Sequence, residues 1–263
     1  TCTGLAVPVA QKFGAKSYSE MRKFVMNAAY LAIFLAVIMT IVTCALCGSI
    51  LTWMKTPNQF YQGAYDYLFV IFLGIPFTFL YNVVAGIIRS LGDSKTPFYF
   101  LVLSAVMNIF LDMLFIIVFK LGTAGAGWAT ILSQAISGVL CFRYMKKKYD
   151  ILKTNHQERR LDMHYIKTLF TMAVPMGLQF SITAIGSILL QSAVNTLGAV
   201  YVSAFAAATK VKQLAMCPYD GFATASATFG SQNLGAGNLK RIREGLKSGI
   251  IISVIYSIAI GIV

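Results

Sequence analysis

The chain has 263 residues, of which 57% are hydrophobic and only 12% charged, with a mean hydropathy of +0.71; that balance excludes an ordinary soluble domain, which needs a far more polar surface. The formal net charge of +13 would suit nucleic acid only if the cations formed one face of a folded domain, and they lie instead between apolar runs, so no nucleic-acid partner is expected. Cys2, Cys44, Cys47, Cys141 and Cys217, an odd number in or beside apolar segments, read as free buried thiols rather than a disulfide framework.

Taken in order, residues 1–10 read as the end of a helix. Runs of about 20 apolar residues, the length that crosses a bilayer, predict helices at 24–48, 64–88, 96–119, 124–145, 168–194, 199–229 and from 245 onward. Thr1 is not an initiator, no leader pattern follows it, and the last apolar run is still open at Val263, so the chain reads as an internal stretch of a longer protein. Most connections are short and set neighbours antiparallel. The exception is 146–167, with Lys146, Lys147, Lys148, Lys153, Arg159, Arg160 and Lys167, which reads as a linker between residues 1–145 and 168–263.

Of the 22 Lys and Arg residues, 18 fall in 11–23, 89–96, 143–167 and 233–247, while the opposite connections hold only Lys55 and Lys120. The excess of cations marks the cytoplasmic side, in a cell (inner) membrane. Lys210 and Lys212 sit inside the helix predicted at 199–229; they read as a wet or packed face, or as a binding point for an anionic group.

The two ends of the chain repeat each other. Placing Gln11 over Gln232 also sets Gly14 over Gly235, Ala15 over Ala236, Arg22 over Arg243, Thr3 over Thr224 and Ala6 over Ala227, without a gap. Two copies on the same basic side imply parallel repeats with an even number of crossings between them, and the predicted helices supply six.

Asn108 and Asp112 lie in the apolar run from Pro97 to Phe119. A carboxylate at mid-membrane costs roughly 2.5 to 3.5 kcal/mol on insertion scales, so such an acid usually faces a bundle interior or a wet cavity. Asn108 and Asp112 share a helix face with Ser104, a set of oxygens able to hold a proton or a small hard cation such as sodium. In the helix at 168–194, Gln179, Thr183, Ser187, Gln191 and Asn195 recur every four residues and form one polar stripe, either a cavity wall or interhelical hydrogen bonding. Thr130 and Gln134 are one turn apart in the helix at 124–145.

Other patterns carry no chemistry. Gly92-Asp-Ser-Lys-Thr96 has Ser94 where a phosphate loop needs glycine, and no strand precedes it. Gly122 to Gly127 lacks the strand–turn–helix setting of a dinucleotide site. Cys44-x-x-Cys47 lies in apolar surroundings, and His156 and His164 have no nucleophile or ligand set near them. An enzyme is not expected.

Five stretches, in order and spacing, carry a resemblance: Val9-Ala-Gln-Lys-Phe-Gly-Ala-Lys16, Arg89-Ser-Leu-Gly-Asp-Ser-Lys-Thr-Pro97, Asn108-Ile-Phe-Leu-Asp112, Gly125-Ala-Gly-Trp-Ala-Thr-Ile-Leu-Ser-Gln134 and Gly230-Ser-Gln-Asn-Leu-Gly-Ala-Gly-Asn238. The chain resembles the multidrug and toxic compound extrusion (MATE) transporters, a branch of the group that includes lipid-linked oligosaccharide flippases. The resemblance implies an all-α polytopic fold of two pseudo-symmetric six-helix bundles. This chain would hold the end of helix 2 to part of helix 9: 1–145 in the amino-terminal bundle, 146–167 as a cytoplasmic linker and 168–263 in the carboxyl-terminal bundle. It also implies a cation site at Asp112, Asn108, Thr130 and Asn82, completed by an acid on helix 1 that lies outside this sequence. A branch of the family carries a glutamate soon after the proline of helix 7; here no acid follows Pro175 before Thr183.

The expected function is exchange of amphipathic, often cationic drugs for H+ or Na+ by alternating access, with no cofactor beyond that ion, in a protein acting as a monomer when complete. Candidate cavity residues are Tyr67, Tyr81, Gln134, Gln179, Thr183, Gln191 and Lys210, with Phe79 beside the two tyrosines. The alternatives are a lipid-linked oligosaccharide flippase of the same superfold, which would favour a basic cavity and draws on Lys210 and Lys212, and a non-transporting membrane scaffold or receptor, which would have no use for a buried Asp112.

Overall fold

A computed structural model of the chain describes residues 2–53, 58–195 and 197–262; the turn expected at Lys55 lies outside the described residues. Among them there are helices and no strand: α1 (Cys2–Gly14), α2 (Tyr18–Ala45), α3 (Cys47–Trp53), α4 (Asn58–Leu73), α5 (Ile75–Ser90), α6 (Lys95–Asp112), α7 (Gly122–Lys148), α8 (Met163–Asn195), α9 (Ala199–Gly235) and α10 (Leu239–Ile262). By length and composition, five helices could cross a membrane: α2, α6 with its continuation to Val118, α7, α8 and α10. The α4–α5 pair is a sixth candidate, bent by 44°.

Three predicted spans differ in their interiors. The run at 64–88 breaks at Gly74, where Pro76 opens α5 and the missing side chain lets Ile131 approach. The run at 96–119 leaves α geometry after Asp112 and continues as a π-helix, Met113–Val118, with Phe119 N donating to Leu114 O at 3.0 Å. The 37-residue α9 is long enough to span but not among the apolar candidates, because Lys210, Lys212 and Asp220 interrupt it.

Contacts divide the described chain into two compact units, residues 18–167 and residues 3–17 with 168–263. In the first, α7 is the axis, packed on α4, α5 and α6. Its glycines allow the close approach that membrane helices use in place of a hydrophobic driving force: a side chain at Gly127 would meet Val70 at 3.0 Å, and one at Gly138 would meet Tyr81 at 3.5 Å. The predicted linker is ordered against the start of α2. Glu158, 5% exposed, accepts from Arg22 Nη2 at 2.6 Å and Nε at 2.7 Å, and from Ser19 Oγ at 2.9 Å. Fully buried Asn27 accepts from Asp162 N at 3.0 Å and donates to Arg160 O at 3.4 Å.

In the second unit the sequence repeat is reproduced bond for bond. Ala15 N donates to Gln11 O at 2.9 Å and Ala236 N to Gln232 O at 3.0 Å. Lys16 N reaches Phe13 O as Gly237 N reaches Leu234 O, both at 3.0 Å, and Ser17 N reaches Lys12 O (3.0 Å) as Asn238 N reaches Asn233 O (2.9 Å). Both helices thus end in the same left-handed cap, with φ of 57° at Lys16 and 71° at Gly237. The copies also face each other: any side chain at Gly14 would strike Gln232 O, and any side chain at Gly235 would strike Gln11 O. Elsewhere in this unit, α1 meets α8 where Gly4 lies on the Ala173 backbone, and α9 meets α10 through edge-on rings of Tyr219, Phe222 and Tyr256.

Candidate functional site

The polar positions of the first unit converge where α6 faces α7. Asn108 Nδ2 donates to Thr130 Oγ1 at 3.4 Å, and Thr130 in turn donates to Ala126 O on its own helix at 2.9 Å. One turn along α6 from Asn108, Asp112 closes the α-helical part. Its Oδ1 is buried with no hydrogen-bond partner among the described residues. A buried acceptor without a donor costs about 1–3 kcal/mol, and more when charged, so this oxygen calls for a proton, a cation or a further donor. The π turn begins at the next residue; such widened turns recur at functional sites. One turn before Asn108, Ser104 is buried, and about two turns beyond Thr130 on α7 Ser137 Oγ donates to Phe100 O at 2.6 Å.

The remaining predicted residues divide. Gln134 accepts from Thr78 Oγ1 across α5 and α7. Asn82 turns back on its own helix, donating to Thr78 O at 2.8 Å; no hydrogen bond joins it to Asn108, Asp112 or Thr130 among the described residues. Tyr81 donates its hydroxyl to Pro97 O at 2.8 Å and ties α5 to α6, while Tyr67 is exposed on α4. Phe79 lines a groove between α2 and α5. In the second unit Gln179, Thr183, Ser187 and Lys210 are exposed, and Gln191 is half-buried. Thr183 and Ser187 donate back along α8, to Gln179 O at 2.9 Å and Thr183 O at 3.0 Å. Sequence reading missed the stacked ladder Tyr61, Tyr65 and Phe69 on α4, although its spacing of four was a usable signal.

It also missed two carboxylates at the basic ends of the helices. Asp93, within the false phosphate loop, accepts from Thr96 N (3.0 Å), Thr96 Oγ1 (2.7 Å) and Tyr149 (2.6 Å), and lies 3.6 Å from Lys148. Burial acts to raise its pKa, but these donors outweigh it and hold the carboxyl below the usual range. Glu158 is lowered to about 2, first by the hydrogen bonds from Arg22, against desolvation, with help from Asn155 N and Ser19. Because the folded pKa is depressed, the stabilisation is complete above the ordinary value of 4.5 and is lost as pH falls from there through about 2. Glu158→Gln should cost about 1.5 to 3 kcal/mol at pH 7, the range for hydrogen bonds to charged groups. From pH 7 to 3 the gap between the wild-type and variant melting curves should stay constant down to about 4.5 and then narrow, without closing, because Glu158 stays ionised in the folded state down to about 2; a gap that does not narrow would show that the ion pair is not its source.

A helical, multi-pass membrane protein whose two ends repeat each other, with one buried and unpartnered carboxylate oxygen in an apolar helix, is the class that this fold and cluster define. The MatE family model matches residues 1–114 and 175–263, and the chain belongs to that family. It is 35% identical over 193 residues to the probable multidrug resistance protein YpnP of Bacillus subtilis, covering 73% of this chain and 43% of that one. It is 25% identical over 267 residues to the probable multidrug resistance protein NorM of Thermotoga maritima, covering 99% and 57%. Among solved structures, it superposes with a TM-score of 0.91 on an outward-facing multidrug resistance MATE transporter of the MOP superfamily, at 24% identity over 98% of this chain and 58% of that one. The chain spans about half the length of the relatives it matches.

Proposed function

We propose that this chain is the central part of a secondary exporter that exchanges amphipathic, often cationic compounds for H+ or Na+ by alternating access. The observation that carries this reading is Asp112 Oδ1, buried without a partner beside the Asn108–Thr130 pair. A proton or a sodium ion would satisfy that oxygen. Since Asn108 uses its amide nitrogen on Thr130, its carbonyl oxygen is the atom through which it would hold a cation. The names of the relatives, multidrug resistance and multidrug export proteins, support the cargo class. Complementing a drug-sensitive strain with the complete protein should raise tolerance to dyes such as ethidium. Membrane-inserted protein that changes tolerance to no cationic compound would remove the cargo assignment.

On this reading residues 1–145 belong to the amino-terminal bundle, 146–167 form a cytoplasmic linker and 168–263 belong to the carboxyl-terminal bundle. The α1–α9 contact through Gly14 and Gly235 then joins the two bundles, and opening between them on that side requires it to part. The basic loops face the cytoplasm. In a background with the native cysteines replaced, His156→Cys should resist an impermeant thiol reagent in intact cells and react in inverted vesicles; the reverse pattern would invert the topology.

A further inference from the structure

The unit of residues 18–167 contains an open groove of about 710 Å³ that the coupling cluster does not use. Its walls are α2 and α5: Val25 to Val37 on one side, Pro76 to Ile87 on the other. At 1.5 Å per residue the α2 wall is about 18 Å long, close to the roughly 15 Å of one leaflet in a hydrocarbon core of about 30 Å. The long walls are apolar. The cations stand together at the end formed by the close of α7 and the linker, where Lys146, Lys153 and Arg159 meet Tyr30 and Tyr149.

The partners of these cations leave charge available. Lys153 pairs with Asp150 at 2.7 Å, both largely exposed. Lys146 lies over the Phe142 ring at 5.4 Å. Arg159 donates to the Thr154 hydroxyl at 3.0 Å and its carbonyl at 3.4 Å, both neutral. Among the described residues no carboxylate pairs with Lys146 or Arg159. The linker is fixed in place by the Glu158–Arg22 pair and by Tyr30 donating to Arg159 O at 2.9 Å, so the basic end is held by ordered structure.

We propose that this groove holds one acidic phospholipid, with an acyl chain between α2 and α5 and its phosphate at Lys146, Lys153 and Arg159. A leaflet-deep apolar slot with cations only at its mouth matches an amphiphile of opposite charge at the head, and basic pockets between membrane helices bind such headgroups. A cationic drug is repelled by the same mouth, so the site is separate from the proposed cargo path. It stands or falls independently of the role of Asp112.

The test uses the complete protein, purified in detergent, with phosphatidylglycerol and phosphatidylcholine as probes. Native mass spectrometry should show phosphatidylglycerol retained on wild type, and at least tenfold less on the triple variant Lys146→Gln, Lys153→Gln, Arg159→Gln. Phosphatidylcholine should bind both weakly and equally, and millimolar inorganic phosphate should not displace the lipid. Val37→Trp, which fills the slot and keeps every charge, should lose phosphatidylglycerol too; Lys240→Gln, Arg241→Gln, Arg243→Gln, with the same charge change elsewhere, should retain it. Undiminished binding in the first triple variant, or equal loss in the second, would overturn the assignment. So would wild type that binds neither lipid, the result expected if another segment of the longer protein fills the groove. Phosphatidylglycerol should also raise the melting temperature of wild type and not that of folded Val37→Trp.

Discussion

Asp112→Asn should leave the complete protein folded and reduce ion-driven efflux to the rate of protein-free liposomes. Asparagine keeps the size of the side chain and puts a neutral group where Oδ1 of the native acid is buried without a partner, and a neutral amide costs less to bury than an unpaired carboxylate, so the folded state should be as stable as wild type or more so. What is lost is the charge that alternately holds a cation and releases it. An antiporter links two flows by making ion and cargo compete for one state of the protein, and a neutral amide cannot take part in that competition. Melting temperature and dye efflux measured on the same preparation separate the outcomes. An unchanged efflux rate would make Asp112 a structural acid, and a collapsed melting temperature would show that its carboxylate is needed for folding.

Gly14→Val and Gly235→Val should each lower the melting temperature by several degrees. Each introduces branched carbons where a backbone carbonyl of the facing repeat already stands, and a carbonyl in a helix cannot rotate aside as a side chain can. Overpacking of this kind costs about 1–3 kcal/mol. The two contacts are equivalent and set by one separation, that of α1 from α9, so a first substitution that parts the helices makes room for the second. The double variant should therefore cost less than the sum of the singles, in contrast to the additivity of distant sites. Additive losses would mean that the contacts are independent, and wild-type melting in either single variant would show that the helices are not in fact so close.

Most of the fold was readable in the sequence because bilayer-length apolar runs leave the chain few choices: each expected span is helical. The repeat was legible for the same reason that it is structural, since Gln-x-x-Gly recurs where a carbonyl needs an open face opposite it. The interruptions were less visible. The bend at Gly74 had a local breaker signal in Pro76, which opens α5, while the π turn after Asp112 lies in an unbroken apolar run and leaves no periodic trace. The polar stripe on α8 was correctly placed on a helix, but its hydroxyls donate along that helix. Glu158 was hidden because its partner Arg22 stands far off in sequence, and three acids among seven linker cations read as background. Asn108 and Asp112 were plain, since acids and amides are costly inside apolar helices.

The central claim is that an ion gradient acting through the Asp112 cluster drives a cationic compound out. The most direct measurement is countertransport in sealed liposomes holding the complete protein, with a proton gradient and a sodium gradient imposed separately and ethidium followed by fluorescence. At least one gradient should drive the dye uphill, and added dye should speed dissipation of that same gradient. Dye that only equilibrates under both gradients, leaving their decay unchanged, would contradict the account.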